Sequence, residues 1–426
     1  MAKEFWWKNI VIYEVYVDKF AGDFKGLVRR LDYLKKLGVN CIWLLPHFPS
    51  PMVDDGYDVS DYYNVRKELG TLDDFRDFVA EAHRGGIKII IDLVLNHVSV
   101  EHSWFKEASS LPDSPKRDYF LWSKTGEELQ AAYNPFSHMT MSNWAYNPKT
   151  DDYYFSRFFH QQADLNWDNQ EVFKEITGII DFWAKLGVDG FRLDAAAHLI
   201  KREGSDSMHL PETHNILKRI RKHVDGNHPD VIMLAEASGP VEKIRPYFGN
   251  GDECHMVFNF PLMSSIYLAI KRNDMSVLEN IVKASLDIPE NCQWATFINN
   301  HDEITFTPLG ESEREEMVAW LDPENTYSFR SGRGVSLRLG NVFKGDKDEI
   351  LNIFKTLFGL SGSPVIYYGS EIGMKNLKQN WELSDSRRYL RGDFDWKEAE
   401  IQVNDPESIF NNIAKMVREK LNLADH

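Results

Sequence analysis

Four groups of polar residues in this chain follow short apolar runs, at places where a folded backbone would hold them fixed. They are Asp92 with Asn96 and His97 after KIII, Arg192 with Asp194 in GFRLD, Glu236 after VIMLA, and His301 with Asp302 after WATFINN. Arg192 and Asp194 are two apart, so in a strand they project to one side while Phe191 and Leu193 project to the other. The guanidinium would keep Asp194 ionised, the state of a nucleophile or charge stabiliser. Glu236 has alanines on both sides and no cation adjacent in sequence, so a raised pKa and a proton-donating role are expected of it. Two carboxyls in unlike surroundings suit cleavage of a glycosidic bond. At about 5–5.5 Å apart, one attacks the anomeric carbon, the other protonates the leaving oxygen, and configuration is retained.

Such residues meet only if the elements carrying them do. Eight β-rich apolar runs occur, VIYEVYV (11–17), CIWLLP (41–46), KIIIDLV (88–94), DGFRLDA (189–195), VIMLAEA (231–237), CHMVFNF (254–260), WATFINN (294–300) and SPVIYYG (363–369). Helical patterns alternate with them. In FKGLVRRLDYLKKLG, Leu27, Leu31, Leu34 and Leu37 recur every three or four residues and Gly38 supplies a stop. LPETHNILKRIRKHV reads the same way, and PESIFNNIAKMVREKLNL would be the eighth helix, with no C-terminal β-sandwich expected after it. Strands alternating with helices predict an α/β chain, a (β/α)8 TIM-type barrel, with an open doubly wound sheet as the alternative that counting leaves open. In a barrel the downstream strand ends surround one mouth, so carboxylates from the fourth, fifth and seventh strands would share a pocket.

Two connections are long. Residues 98–168, rich in Pro, Ser, Asn, Tyr and Trp, are expected to form a subdomain inserted over the mouth, between barrel segments 1–97 and 169–426; the second long connection is 301–345. Packing inside the insertion explains Trp104, Trp122, Trp144 and Trp167 about as well as stacking on a sugar does.

Composition narrows the partners. Lys plus Arg is 49 against 65 for Asp plus Glu, a net charge of −16 that disfavours nucleic acid and membrane surfaces. Hydrophobic residues at 43% and charged residues at 27% are those of an ordinary globular protein. Cys41, Cys254 and Cys292 form no CxxC pair and read as buried thiols. With no signal-peptide pattern at the N-terminus and no run of about 20 apolar residues, a cytoplasmic location is expected. Nothing in the sequence reports on oligomeric state.

DLVLNH (92–97), GFRLDAAAH (190–198), LAEA (234–237) and FINNHD (297–302), with QADLNWDN (162–169), are similar in order to the signature regions of the α-amylase family, glycoside hydrolase family 13. The resemblance covers almost the whole chain and is strongest to the branch acting on maltose and trehalose. It implies a retaining α-glucosyl enzyme acting on small α-glucosides by isomerisation, transglucosylation or hydrolysis, with no cofactor. Asp194 would be the nucleophile, Glu236 the acid/base and Asp302 the transition-state stabiliser, while Tyr57, Asp58, His97, Arg192 and His301 would line the glucosyl subsite. An exo-acting α-glucosidase without isomerase activity is the alternative. A non-catalytic amylase-like binding protein is a weaker one, because all three carboxylates are present.

The chain also departs from its resemblance. The metal-binding loop that many family members carry after the first strand is missing from VYVDKFAGDFKG. At a second family calcium site Asn96 and Asp164 match, but the third position is Lys201, whose ammonium cannot ligate a cation and would supply positive charge itself. Glu203 is the remaining carboxylate nearby. No metal is therefore expected. RRYLRGDFDW (387–396) keeps an arginine spacing from which Arg387 or Arg391 is expected to pair with Asp58 and close the pocket behind the terminal sugar.

Overall fold

The computed structural model of the protein describes residues 5–330, 332–378 and 385–423. Its centre is a closed barrel of eight parallel strands, β1 (Ile12–Val15), β2 (Cys41–Leu44), β3 (Lys88–Val94), β4 (Gly190–Asp194), β5 (Ile232–Ala235), β6 (Met256–Phe258), β7 (Gln293–Thr296) and β8 (Ser363–Tyr367). Each strand pairs with its neighbours in chain order and β8 closes on β1, with Ile12 opposite Val365. The doubly wound alternative is thereby excluded. All eight predicted runs form strands, but four of them are shorter at both ends than the apolar pattern. Val17, for example, already opens a helix, because buried loop and helix residues are as apolar as the ladder itself.

The helices start and stop where local chemistry directs. Phe24–Leu37 opens on Asp23, whose carboxylate accepts from the Gly26 N–H, and ends at Gly38, at φ 91°, where no side chain has to be accommodated. Pro211–Asn227 begins with proline in its first turn, where a missing N–H costs nothing. The run expected as the eighth helix spans Ile409–Lys420. Leu27, Leu31, Leu34 and Leu37 are buried against the barrel, and one apolar core encloses it.

Between β3 and the helix Gln170–Lys185, His97–Ser99 pairs with Gln162–Asp164, and Trp122–Ser123, Asp152–Phe155 and Trp144–Asn147 form a separate three-stranded sheet. The four tryptophans of this stretch are used in packing. Trp104 lies edge-on to Tyr119, Trp122 carries the Arg117 guanidinium on its face, Trp144 meets Phe155, and Trp167 donates to the Leu95 carbonyl at 2.9 Å. After β7 a small ladder of Ile304–Thr305, Gly334–Val335 and Ser328–Phe329 forms the facing wall. The two walls touch where Phe136 meets Phe329, ring centroids 5.6 Å apart. All three cysteines are buried and free.

Candidate active site

Register sets the floor of the barrel mouth. Asp92 on β3 stands opposite Arg192 on β4, and Val94 opposite Asp194, so alternate residues of the two strands meet inside. Arg192 is buried at the centre and its fork serves three carboxylates: Nη1 lies 2.6 Å from Asp92 and 2.5 Å from Asp194, and Nη2 lies 3.2 Å from Glu236. Trp43 fixes Asp92 from below through its indole N–H at 2.9 Å. Burial lifts Asp92 to about 6 against the pull of Arg192, which marks it as the support of the guanidinium.

Two electrostatic expectations are corrected here. Arg192 is not a private partner of Asp194: burial pushes the Asp194 carboxyl well above the usual range, Arg192 opposes this, and the nearby carboxyls Glu236, Asp92 and Asp302 add to the rise. Glu236 is not free of cations either, since β5 lies beside β4 and its side chain reaches the second nitrogen of the same fork. The two carboxyls therefore share one cation.

Asp302 has the opposite balance. Burial raises its carboxyl, but His301 and the guanidinium groups of Arg387 and Arg391, 3.2 and 2.7 Å away, outweigh burial and hold it well below the usual range. His301 is buried behind it, with Nδ1 2.5 Å from Glu14 and Nε2 2.6 Å from the Tyr57 hydroxyl. Tyr57 stacks on this imidazole and bridges it to Arg192 at 3.3 Å. His97 has its ring nitrogens 3.1 Å from the Gln162 amide and 3.3 Å from that of Asn96, and burial lowers it to about 4, so it is neutral at pH 7.

These groups surround a cavity of about 220 Å³, smaller than the roughly 300–1,000 Å³ of sites for drug-sized ligands. Asp194, Glu236, Asp302, Tyr57, His97 and Arg387 line it, while Arg192, His301 and Arg391 support the lining from behind. Phe136 and Phe158 from the first long connection and Arg330 from the second complete the wall. Apolar periodicity did not single these out, because a ring facing a cavity and a ring facing the core are the same letter.

The arginine expectation is half right and its partner is wrong. Asp58 is buried away from both arginines and accepts from the Ser50 hydroxyl at 2.8 Å and the N–H groups of Val53 and Asp54 at 3.0 and 3.1 Å, which knots the loop. The carboxylates presented to the arginines are Asp54 and Asp55. Arg387 lies 2.8 Å from Asp54 and 2.6 Å from Asp385; Arg391 lies 2.6 Å from Asp55. Positive φ at Asp55 (45°) and Gly56 (106°) turns the chain so that Asp54 faces the cavity and Asp58 faces its own loop.

The Alpha-amylase catalytic-domain model matches residues 8–327. The chain belongs to the α-amylase family. Its curated relatives include the trehalose synthase of Thermus thermophilus, 45% identical over 404 residues that make 93% of this chain and 41% of the relative. The trehalose synthase/amylase of Mycobacterium tuberculosis H37Rv is 44% identical over 87% of this chain and 63% of its own length. The chain thus spans about two fifths to three fifths of these two relatives. Among solved structures, the trehalose-6-phosphate hydrolase of Bacillus licheniformis superposes with a TM-score of 0.75 at 26% identity, over 98% of this chain and 84% of that one.

β1 ends at Val15 and a helix begins at Val17, leaving no room for an intervening loop. Lys201 is buried with its ammonium 2.9 Å from the Asn96 oxygen and 2.8 Å from Asp164, and burial lowers it to about 8. Glu203 is turned away and accepts from the Leu129 N–H at 2.7 Å. No helix among the described residues is long and apolar enough to cross a membrane.

Proposed function

We propose that this chain is a retaining α-glucosyl enzyme acting on small α-glucosides of the maltose and trehalose type. One observation carries the reading: Asp194, Glu236 and Asp302 converge on a small cavity that the Arg387–Asp54 ion pair also lines, with the Arg391–Asp55 pair behind it. A terminal glucosyl ring fits such a cup, with its anomeric carbon toward Asp194. That carboxylate forms a bond to the carbon as the bond to the leaving oxygen breaks, and Glu236 gives its proton to that oxygen. In the second half Glu236 takes the proton of an incoming hydroxyl, which displaces Asp194. If the hydroxyl belongs to the released glucose, the linkage is exchanged; if it belongs to water, the product is free glucose. That relatives 41–45% identical are trehalose synthases supports exchange. Incubation with maltose and with trehalose separately tests this. Each should give rise to the other, with glucose as a minor product, whereas glucose alone from both would establish the exo-acting glucosidase reading.

The same proposal includes a cytoplasmic, metal-independent protein, the metal site being replaced by Lys201. Removing one partner of a buried pair costs about 3–5 kcal/mol, so Lys201→Met should lower the denaturant midpoint strongly by leaving Asp164 without its cation. Exhaustive chelation should leave the parent protein's melting temperature unchanged. A fall with chelator that calcium reverses would contradict it.

A further inference from the structure

Beside the nucleophile the backbone does something that no requirement of the barrel explains. Ala195 has φ 50° and ψ 35°, the left-handed region, although it carries a Cβ and is buried. L-residues other than Gly, Asn and Asp rarely adopt it, and such conformations persist where surrounding structure enforces them. What the twist achieves is visible at Glu236. The Ala195 N–H donates to Glu236 Oε2 at 2.8 Å, the Ala196 N–H donates to the Glu236 carbonyl at 3.1 Å, and the Glu236 N–H donates to the Leu193 carbonyl at 3.1 Å. The exit of β4 is therefore fastened to the acid/base by three bonds, one of them to its reacting carboxyl.

We propose that Ala195 is a positioning residue: its N–H, donated to Glu236 Oε2, fixes Oε1 as the oxygen that carries and delivers the proton, and its left-handed conformation holds it there by turning the chain so that the Ala196 N–H meets the Glu236 carbonyl. Oε2 faces two donors, the Ala195 N–H and the Arg192 fork at 3.2 Å, and an oxygen so engaged is a poor place for a proton. Oε1 has no such partner in the described contacts. The nucleophile strand thereby orients its own acid, and a one-residue conformational preference couples the two carboxyls.

This inference rests on the glucosyl-enzyme reading, and the test separates the two. Parent, Ala195→Gly, Ala195→Val and Glu236→Gln are compared for kcat/KM on maltose, whose leaving group needs protonation, and on 2,4-dinitrophenyl α-glucoside, whose leaving group scarcely does. Glycine adopts positive φ freely and valine resists it. If the acid is disoriented, part of the roughly 10²–10⁴-fold that general acid catalysis supplies is lost only on maltose. Ala195→Val is expected to lose about 30-fold more on maltose than on the aryl glucoside, a share of that range. The ratio for Ala195→Gly should stay near the parent's. Should the valine variant fail to fold, replacing the residue-195 amide by an ester, with lactate in place of alanine, removes the N–H alone and should give the same split. Equal loss on both substrates in the valine or ester variant, with Glu236→Gln still showing the split, would overturn the role of Ala195. A Glu236→Gln variant without any split would overturn the underlying reading instead.

Discussion

Asp194→Asn is expected to abolish the glucosyl-enzyme and to lower turnover by on the order of 10⁴–10⁶-fold, the scale seen when a nucleophile is removed, while the barrel stays folded. The amide keeps the shape of the carboxyl, and its oxygen can still accept from Arg192, which lies 2.5 Å away in the native protein. It lacks the negative charge of the carboxylate and is a poor nucleophile toward the anomeric carbon. Intact-protein mass spectrometry with a slow fluorinated glucosyl fluoride should show a covalent adduct on the parent and none on the variant; near-normal turnover would remove Asp194 from its role. The pH profile supplies a second check. Burial, with the Glu236, Asp92 and Asp302 carboxyls nearby, raises Asp194 despite Arg192, and the nucleophile must be ionised. Activity should therefore rise with pH through an apparent pKa above the ordinary Asp value.

The parts of this site legible in the sequence are those that depend on one strand. The two-residue spacing of Arg192 and Asp194 places both inside the barrel whatever their neighbours are, and the apolar run before Glu236 places it at the end of β5, whereas Asp302 lies in the loop beyond β7, which already ends at Thr296. What could not be read depends on two strands or on a turn. That Arg192 reaches Glu236 follows from the adjacency and register of β4 and β5, with Leu234 opposite Arg192, which no local pattern encodes. Asp54, Asp55 and Asp58 are three identical side chains within five residues. Only the backbone twist at Asp55 and Gly56 decides which of them faces the arginines. The DDGYD string did carry a signal, since its glycine demands a turn and a turn reverses the facing of the residues around it. Glu14 was missed because it is distant in sequence from His301, the residue it holds, whereas Asp385 lies two residues before Arg387 and was missed because no local pattern shows its carboxylate folding back onto that guanidinium.

The geometry also assigns unequal weight to the two arginines that close the cup. Arg387 touches Asp54, Asp385 and Asp302, and its guanidinium lies over the contacting Phe136 and Phe329 rings, 5.0 and 4.7 Å from their centroids. Burial already lifts Asp54 to about 6 with Arg387 beside it, so in Arg387→Ala that carboxyl should become neutral at pH 7 and lose its hold on a sugar hydroxyl. Removing a cation from buried carboxylates costs about 3–5 kcal/mol, and most of this should appear as a raised KM for disaccharide and a lowered melting temperature. Arg387→Lys should restore little, because one ammonium cannot span the carboxylates that a fork spans. Arg391→Ala should do less: Asp302 keeps Arg387, and Asp55, which is partly exposed, keeps Arg388 at 3.7 Å. Opening the Asp54 side of the cup should also change what enters it. The parent can receive only a chain end and should release or transfer one glucosyl unit at a time, whereas Arg387→Ala should gain slow internal cleavage of amylose, read as a viscosity fall ahead of glucose release. An equal or larger effect at Arg391, or rapid internal cleavage by the parent, would show that these pairs do not close the pocket.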